Sequence, residues 1–176
     1  EKGKDYPIYT RKKDSLEAPE EILFDVNEMA KGHSYYNLRG ISVSPDNTMV
    51  SFGVDTLSRR KYTIYIKNLV TGKLMQEVIP LTTGGATWAN DNKTLFYSKK
   101  DEQTLRSNKI FKHTLGQNSA DDVNVFTEQD ETFNTFVYKT KSKKYIVIGS
   151  SSTLSSEYQI LDADTPNKEF KIFQPR

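Results

Sequence analysis

Val43-Ser44-Pro45-Asp46-Asn47-Thr48-Met49-Val50-Ser51-Phe52 joins a short strand to a longer one through a tight, Asp-containing turn. Pro45-Asp46-Asn47 supplies that turn, because Asx side chains accept hydrogen bonds from nearby backbone N–H groups and tolerate left-handed geometry. Beyond it Val50, Phe52 and Val54 alternate with Ser51 and Gly53, the period of a β-strand. The passage recurs as Trp88-Ala89-Asn90-Asp91-Asn92-Lys93-Thr94-Leu95-Phe96-Tyr97, and more loosely as Lys139-Thr140-Lys141-Ser142-Lys143-Lys144-Tyr145-Ile146-Val147-Ile148. Asp91 lies 45 residues after Asp46, and Ser142 lies 51 after Asp91. A period of roughly 40–50 residues filled by strands alone is the mark of a four-stranded propeller blade.

Working outward, residues 7–11 and 21–25 read as a leading hairpin, and Asn27-Glu28-Met29-Ala30 can hold one helical turn. Strands at 39–43, 49–55, 61–68 and 73–80 make one blade. A second has strands at 85–88, 94–99, 108–115 and 122–126, and a third at 135–138, 144–149, 157–161 and 169–173. The fold expected is all-β: a β-propeller fragment with a half blade (1–27) and three four-stranded antiparallel blades (39–80, 84–126, 134–174). Inner strands crowd around the axis, so small residues are expected there: Gly40, Ser42, Gly85 and Ala86. The competing architecture is a twisted antiparallel sandwich with coincidental spacing. Three blades and a half do not close a ring, since propellers carry about four to eight. Apolar blade faces at both ends should therefore drive self-association of the fragment.

The bulk composition agrees. The 176 residues include 10 Tyr and 9 Phe, a β-favouring complement. Lys+Arg number 25 against 23 Asp+Glu, interspersed, which argues against a nucleic-acid stripe. No apolar run approaches the roughly 20 residues of a membrane-spanning helix, so no membrane partner is expected. With no cysteine there are no disulfides or thiolate metal sites, a usage that fits reducing and oxidising compartments alike. A cytoplasmic location is the expectation, with the periplasm as the alternative.

Chemistry-bearing residues are sparse. His33, in a loop, and His113, in a strand, are the only histidines, and neither has ligand-type neighbours at metal-site spacing. Gly149-Ser150-Ser151-Ser152-Thr153 lacks the second glycine of a nucleophile elbow and reads as a solvated loop between strands. Thr83-Gly84-Gly85 is too short to cradle phosphate. Arg59-Arg60-Lys61 reads as an exposed hairpin tip. Asp101-Glu102 and Asp121-Asp122 fall in turns where their charge would be solvated, and Trp88 reads as core. No catalytic, cofactor-binding or metal-binding residue is expected, and no cofactor.

The ordered landmarks nevertheless resemble the N-terminal propeller of the prolyl oligopeptidase family of serine peptidases, and within it the oligopeptidase B (protease II) branch. They are Glu20-Glu21-Ile22-Leu23-Phe24-Asp25-Val26-Asn27, Gly32-His33-Ser34-Tyr35-Tyr36, the Val43 and Trp88 passages, Phe52-Gly53-Val54-Asp55-Thr56 and Arg59-Arg60-Lys61-Tyr62-Thr63. Ser142-Lys143-Lys144-Tyr145-Ile146, Ser150-Ser151-Ser152-Thr153, Ser156-Glu157-Tyr158 and Leu161-Asp162-Ala163-Asp164 complete the set. The resemblance implies a seven-bladed parent propeller that caps an α/β-hydrolase domain carrying a Ser, Asp and His triad. It also implies admission of short peptides only, and cleavage after Arg or Lys. The partners it implies are the hydrolase domain, the remaining blades and short peptide substrates. No position here matches the triad motifs. Loops at Arg39-Gly40 and Thr83-Gly84-Gly85 are expected to line the tunnel or the interdomain face, so that a bulky residue at Gly85 changes peptide-length selectivity. The alternative is a protein-interaction or periplasmic ligand-binding propeller without peptidase activity. The Gly-His and Trp-Asp signature of scaffold propellers is missing.

Overall fold

A computed structural model describes residues 3–176. Thirteen strands follow in order among these residues: β1 Ile8–Lys12, β2 Glu20–Asp25, β3 Asn37–Val43, β4 Met49–Asp55, β5 Tyr62–Asn68, β6 Leu74–Trp88, β7 Thr94–Lys100, β8 Ser107–Thr114, β9 Val123–Thr127, β10 Asn134–Lys139, β11 Tyr145–Ser151, β12 Ser156–Asp162 and β13 Lys171–Gln174. A single helical turn, α1 (Val26–Met29), follows β2; Asp25 caps it by accepting from the N–H groups of Asn27 and Glu28. Every strand pairs antiparallel with its neighbour in sequence, in sheets β1-β2, β3 through β9, and β10 through β13.

The seven-stranded sheet is two blades sharing one strand. Residues 73–80 and 85–88 were expected as separate strands; β6 instead runs unbroken for 15 residues, outer strand of one blade and inner strand of the next. The turn happens inside it, through Leu81 and Gly84 at φ +60° and +94°. Thr82 holds both sides, pairing with Tyr62 and with Lys99. Its hydroxyl donates to the Tyr62 carbonyl and accepts from Gly84 N–H, each at 3.0 Å. Its backbone groups thus stay in the ladder while the chain changes blade.

A fan differs from a sandwich in how its second strands are buried. In an antiparallel sandwich each strand turns one face to solvent. Here six of the seven residues of β4 are buried, and five consecutive residues in each of β7 and β11. Both faces of these strands are covered because a blade lies on each side. The core is accordingly three clusters in series. Phe24, Leu38 and Phe52 pack the leading hairpin on the first full blade. Ile64, Trp88 and Tyr97 pack that blade on the second, and Phe96, Ile110 and Ile148 pack the second on the third. Each fully buried side chain of this size contributes about 1.5–3 kcal/mol. Trp88 adds a cross-blade bond, Nε1 donating to the Ser42 carbonyl at 2.9 Å.

The repeated turns are superposable in chemistry. Asn47, Asn92 and Lys143 occupy the left-handed position at φ +59°, +58° and +61°, so the looser third copy seats a lysine where the others seat Asn. They also join neighbouring blades. Asn92 Oδ1 accepts from Asp46 N–H at 2.9 Å, and Asn90 Nδ2 donates to Asp164 Oδ1 at 2.7 Å. At the far end of the fan the last blade leaves Tyr138, Ile172 and Phe173 exposed beside a hollow of about 410 Å3.

Candidate functional site: an axial groove

The inner strands β3, β10 and the second half of β6 converge on a groove of about 250 Å3 whose walls include Arg39, Ser42, Thr83, Gly85, Thr87 and Phe136. Glycines set how closely the strands approach. A Cβ on Gly40 would stand 2.6 Å from Gly85 Cα, and one on Gly53 would stand 2.7 Å from the Gly84 carbonyl carbon. One on Gly84 would meet Arg39 Cγ and Tyr62 Cγ at 2.9 Å. The expectation that Gly85 sits where crowding is greatest is corrected: its Cβ would have only Gly40 Cα, at 3.8 Å, and open groove beyond. Gly84 takes the crowded place because there the β6 backbone bends inward, and Gly53 was not anticipated because its contact belongs to another blade.

Both ends of the groove carry positive charge. At one end the Arg39 guanidinium lies 5.3 Å from the Tyr62 ring centroid, and Tyr62 Oη donates to Asn37 at 2.9 Å. Beside it Lys100 Nζ donates to the Arg60 carbonyl at 2.7 Å. Burial holds Lys100 below the usual lysine range, reinforced by Arg60 and Arg39 and opposed by Asp55. The opposite end widens into a hollow of about 420 Å3 that Ser44, Asn47, Lys139 and Lys143 help to line. Burial, then Lys143, lowers Lys139 as well, against Asp164 and Asp91. Hydroxyl walls and cationic ends suit the carbonyls and carboxylate of an extended peptide.

A model described as prolyl oligopeptidase, N-terminal beta-propeller domain, matches residues 1–176. The chain belongs to the prolyl oligopeptidase family, in its propeller domain. It is 36% identical over 189 residues to dipeptidyl aminopeptidase BI of Pseudoxanthomonas mexicana, covering 99% of this chain and 26% of that protein. Protease 2 of Moraxella lacunata is 32% identical over 183 residues, covering 100% and 26%. The structure of oligopeptidase B from Leishmania major superposes with a TM-score of 0.89 at 31% identity, covering 99% of this chain and 25% of that one. The chain thus spans about a quarter of the length of these relatives.

Within this prolyl oligopeptidase propeller the other candidate residues are dispersed. Arg59, Arg60 and Lys61 are exposed at the β4–β5 hairpin tip, as read from sequence. His33 is exposed in the loop after α1, its ring 5.5 Å from Tyr36. Two readings are corrected. Asp122 is not solvated: its carboxylate is 1% exposed and takes His113 Nδ1 at 2.7 Å and Tyr97 Oη at 2.8 Å. Burial, with that carboxylate as acceptor, pushes the Tyr97 phenol far above its usual range. Tyr97 on β7 and His113 on the adjacent β8 draw Asp122 inward, which its own neighbours in sequence do not show. His113 and Asp122 pair through Nδ1, as the base and acid of a triad do, and His113 Nε2 is buried with no hydrogen-bond partner among the described residues.

The second correction concerns the serine run, three of whose five residues are strand: Gly149 and Ser150 are buried in β11, which ends at Ser151, and only 152–155 form a loop. Gly149 is needed because the Phe136 ring lies against it. Ser150 donates to the buried Glu128 carboxylate, which Asp130 N–H and Arg176 also engage. Burial raises the Glu128 pKa, but Ser150, Asp130 N–H and Arg176 outweigh it and leave the acid below its ordinary value. Glu128 was not singled out from sequence; beside Asp130 and Glu131 it reads as one more acid of a charged turn until the β10–β11 blade closes over it.

Proposed function

We propose that this chain is the non-catalytic propeller segment of a serine-type oligopeptidase of the protease 2 and oligopeptidase B kind. In this reading the whole protein pairs the propeller with an α/β-hydrolase domain that cleaves after Arg or Lys, and the propeller admits short peptides to that active site. The observation that carries it is the axial groove of about 250 Å3, where backbone contacts at Gly40, Gly53 and Gly84 hold the inner strands close together. Exclusion of bulk solvent and large substrates lets a reactive centre keep a preorganised environment. Family membership and the likeness to oligopeptidase B and protease 2 support it.

The test uses the full-length enzyme with one Arg-containing sequence, offered as a short free peptide and within a folded protein. Cleavage of the peptide alone is expected, and equal cleavage of both would remove the gating role. A second reading is favoured by the likeness to dipeptidyl aminopeptidase BI: release of dipeptides from a free amino end. Mass analysis of the products separates the two, since internal cleavage survives acetylation of the substrate's amino terminus and dipeptide release does not.

A further inference from the structure

Arg39 stands on β3 opposite Gly53 of β4. Its stem runs over Gly84, where an added Cβ would meet Arg39 Cγ at 2.9 Å and Cδ at 3.1 Å. The guanidinium then rests against the Tyr62 ring, its carbon 5.3 Å from the centroid, and Tyr62 Oη is anchored on Asn37. A cation–π contact of this kind orients the planar fork without using its N–H groups. Among the described residues no carboxylate pairs with that guanidinium and no oxygen accepts from it.

The surroundings are short of negative charge. Burial foremost, and then the repulsion of Arg60 and Arg39, lowers Lys100, and Asp55 is the acid that opposes them. That acid is already committed: it is 1% exposed and accepts from Leu57 N–H at 2.9 Å and Arg60 N–H at 2.7 Å. Lys100 is committed as well, to the Arg60 carbonyl at 2.7 Å. Arg39 is the cation that lines the groove itself, and Thr83 and Ser98 bring hydroxyls to its walls. Ser98 is 4% exposed, and its hydroxyl, like that of Thr83, bonds none of the described residues. A free guanidinium fork and two free hydroxyls around a hollow of about 250 Å3 make a receptor for a small planar anion.

We propose that Arg39 is a substrate-binding residue that takes a carboxylate of the bound peptide, foremost its free C-terminus, through paired N–H bonds from its guanidinium. The proposal rests on the oligopeptidase reading above and adds to it which peptides the groove selects. A short peptide carries a carboxylate within a few residues of every bond. An internal segment of a long chain carries one only where it holds Asp or Glu. Recognition of that group therefore favours short substrates by chemistry, independently of the width of the groove. The planar, bidentate fork suits the two oxygens of a carboxylate, and the aromatic face behind it keeps the fork turned the same way between one substrate and the next.

The experiment uses the full-length enzyme and one short Arg-containing peptide made in three forms: the free acid, the C-terminal amide, and an amide whose last residue is Glu. Both kcat and KM are measured for the parent, Arg39→Met and Arg39→Lys. The parent should favour the acid over the plain amide by about tenfold in kcat/KM, carried by KM. Arg39→Met should bring that ratio close to one, and Arg39→Lys, which keeps the charge but not the fork, should leave it in between. Because each ratio is taken within one enzyme, a general loss of activity does not imitate the result. Recovery of the preference by the Glu amide would show that a side-chain carboxylate serves as well, and its failure that the terminus alone is read; either supports the assignment. A parent that cleaves acid and amide equally, or an Arg39→Met enzyme that keeps the parent's ratio, would overturn the proposal and leave the oligopeptidase reading intact. So would an Arg39→Met enzyme that loses acid and amide by the same factor, since Arg39 would then serve a contact within the enzyme. A parent that cleaves none of the three would remove the oligopeptidase reading itself.

Discussion

Gly84 and Gly85 are chemically identical neighbours, and alanine at each should act in opposite directions. At Gly84 the added methyl meets two costs. The backbone is at φ +94°, where an L-residue is strained by about 1–3 kcal/mol. The new Cβ would also stand 2.9 Å from Arg39 Cγ and Tyr62 Cγ. Arg39 has freedom to yield, but the Tyr62 ring is fixed by its bond to Asn37 and by burial, so overpacking adds about 1–3 kcal/mol. The sum is a destabilisation of about 2–6 kcal/mol. With about 2–4 °C of melting temperature per kcal/mol in a chain of this size, Gly84→Ala should melt roughly 4–24 °C lower. At Gly85 the nearest atom to a new Cβ is 3.8 Å away and φ is not positive. Alanine there removes only unfolded-state freedom, about 0.4–1 kcal/mol, and should raise the melting temperature by about 1–4 °C. Calorimetry of the two variants beside the parent measures both. Equal shifts, or a larger loss at Gly85, would refute the assignment of Gly84 to the interblade contact and Gly85 to the groove wall.

Other outcomes follow from the same contacts. Trp88→Phe removes the Nε1 bond to Ser42 and some buried volume between blades, and should cost about 2–4 kcal/mol in urea unfolding; a neutral result would mean that bond is not made. Glu128 is held below its ordinary value of 4.5, so its contribution is present above that pH and is lost as pH falls below it. The stability gap between parent and Glu128→Gln should therefore be open at pH 7 and close towards pH 3, and a gap independent of pH would contradict the buried-carboxylate role. For the 176-residue chain by itself, the exposed Tyr138, Ile172 and Phe173 should produce self-association in sedimentation velocity that Phe173→Lys weakens; a monomer at high concentration would count against it.

What could be read from the chain was what its own neighbours decide. Asp46 and Asp91 announce their turns locally, and the apolar runs through Phe52, Phe96 and Ile148 announce strands covered on both sides, so the blade and its period were legible. Asp122 was not, because the groups that draw it inside, His113 and Tyr97, lie on strands folded beside it. Glu128 and Ser150 belong together only after β11 returns across the start of its blade. The glycines show the same boundary. Gly40 followed from crowding near the axis, whereas the exchange of roles between Gly84 and Gly85, and the part of Gly53, depend on which blade's backbone faces which. The unbroken β6 escaped notice because Pro80 and Gly84-Gly85 read as breakers in sequence, whereas the chain bends there without leaving the ladder.

The proposed control of entry by the axial groove is tested most directly through Gly85, whose side faces open space and whose replacement should leave the fold intact. Steady-state kcat/KM of full-length Gly85→Leu and of the parent enzyme, measured on Arg-containing peptides of graded length, reads that control. Longer peptides should lose far more than the shortest, which should be cleaved almost as by the parent. A ratio between the two enzymes that stays constant at every length would show that substrates reach the active site by another route.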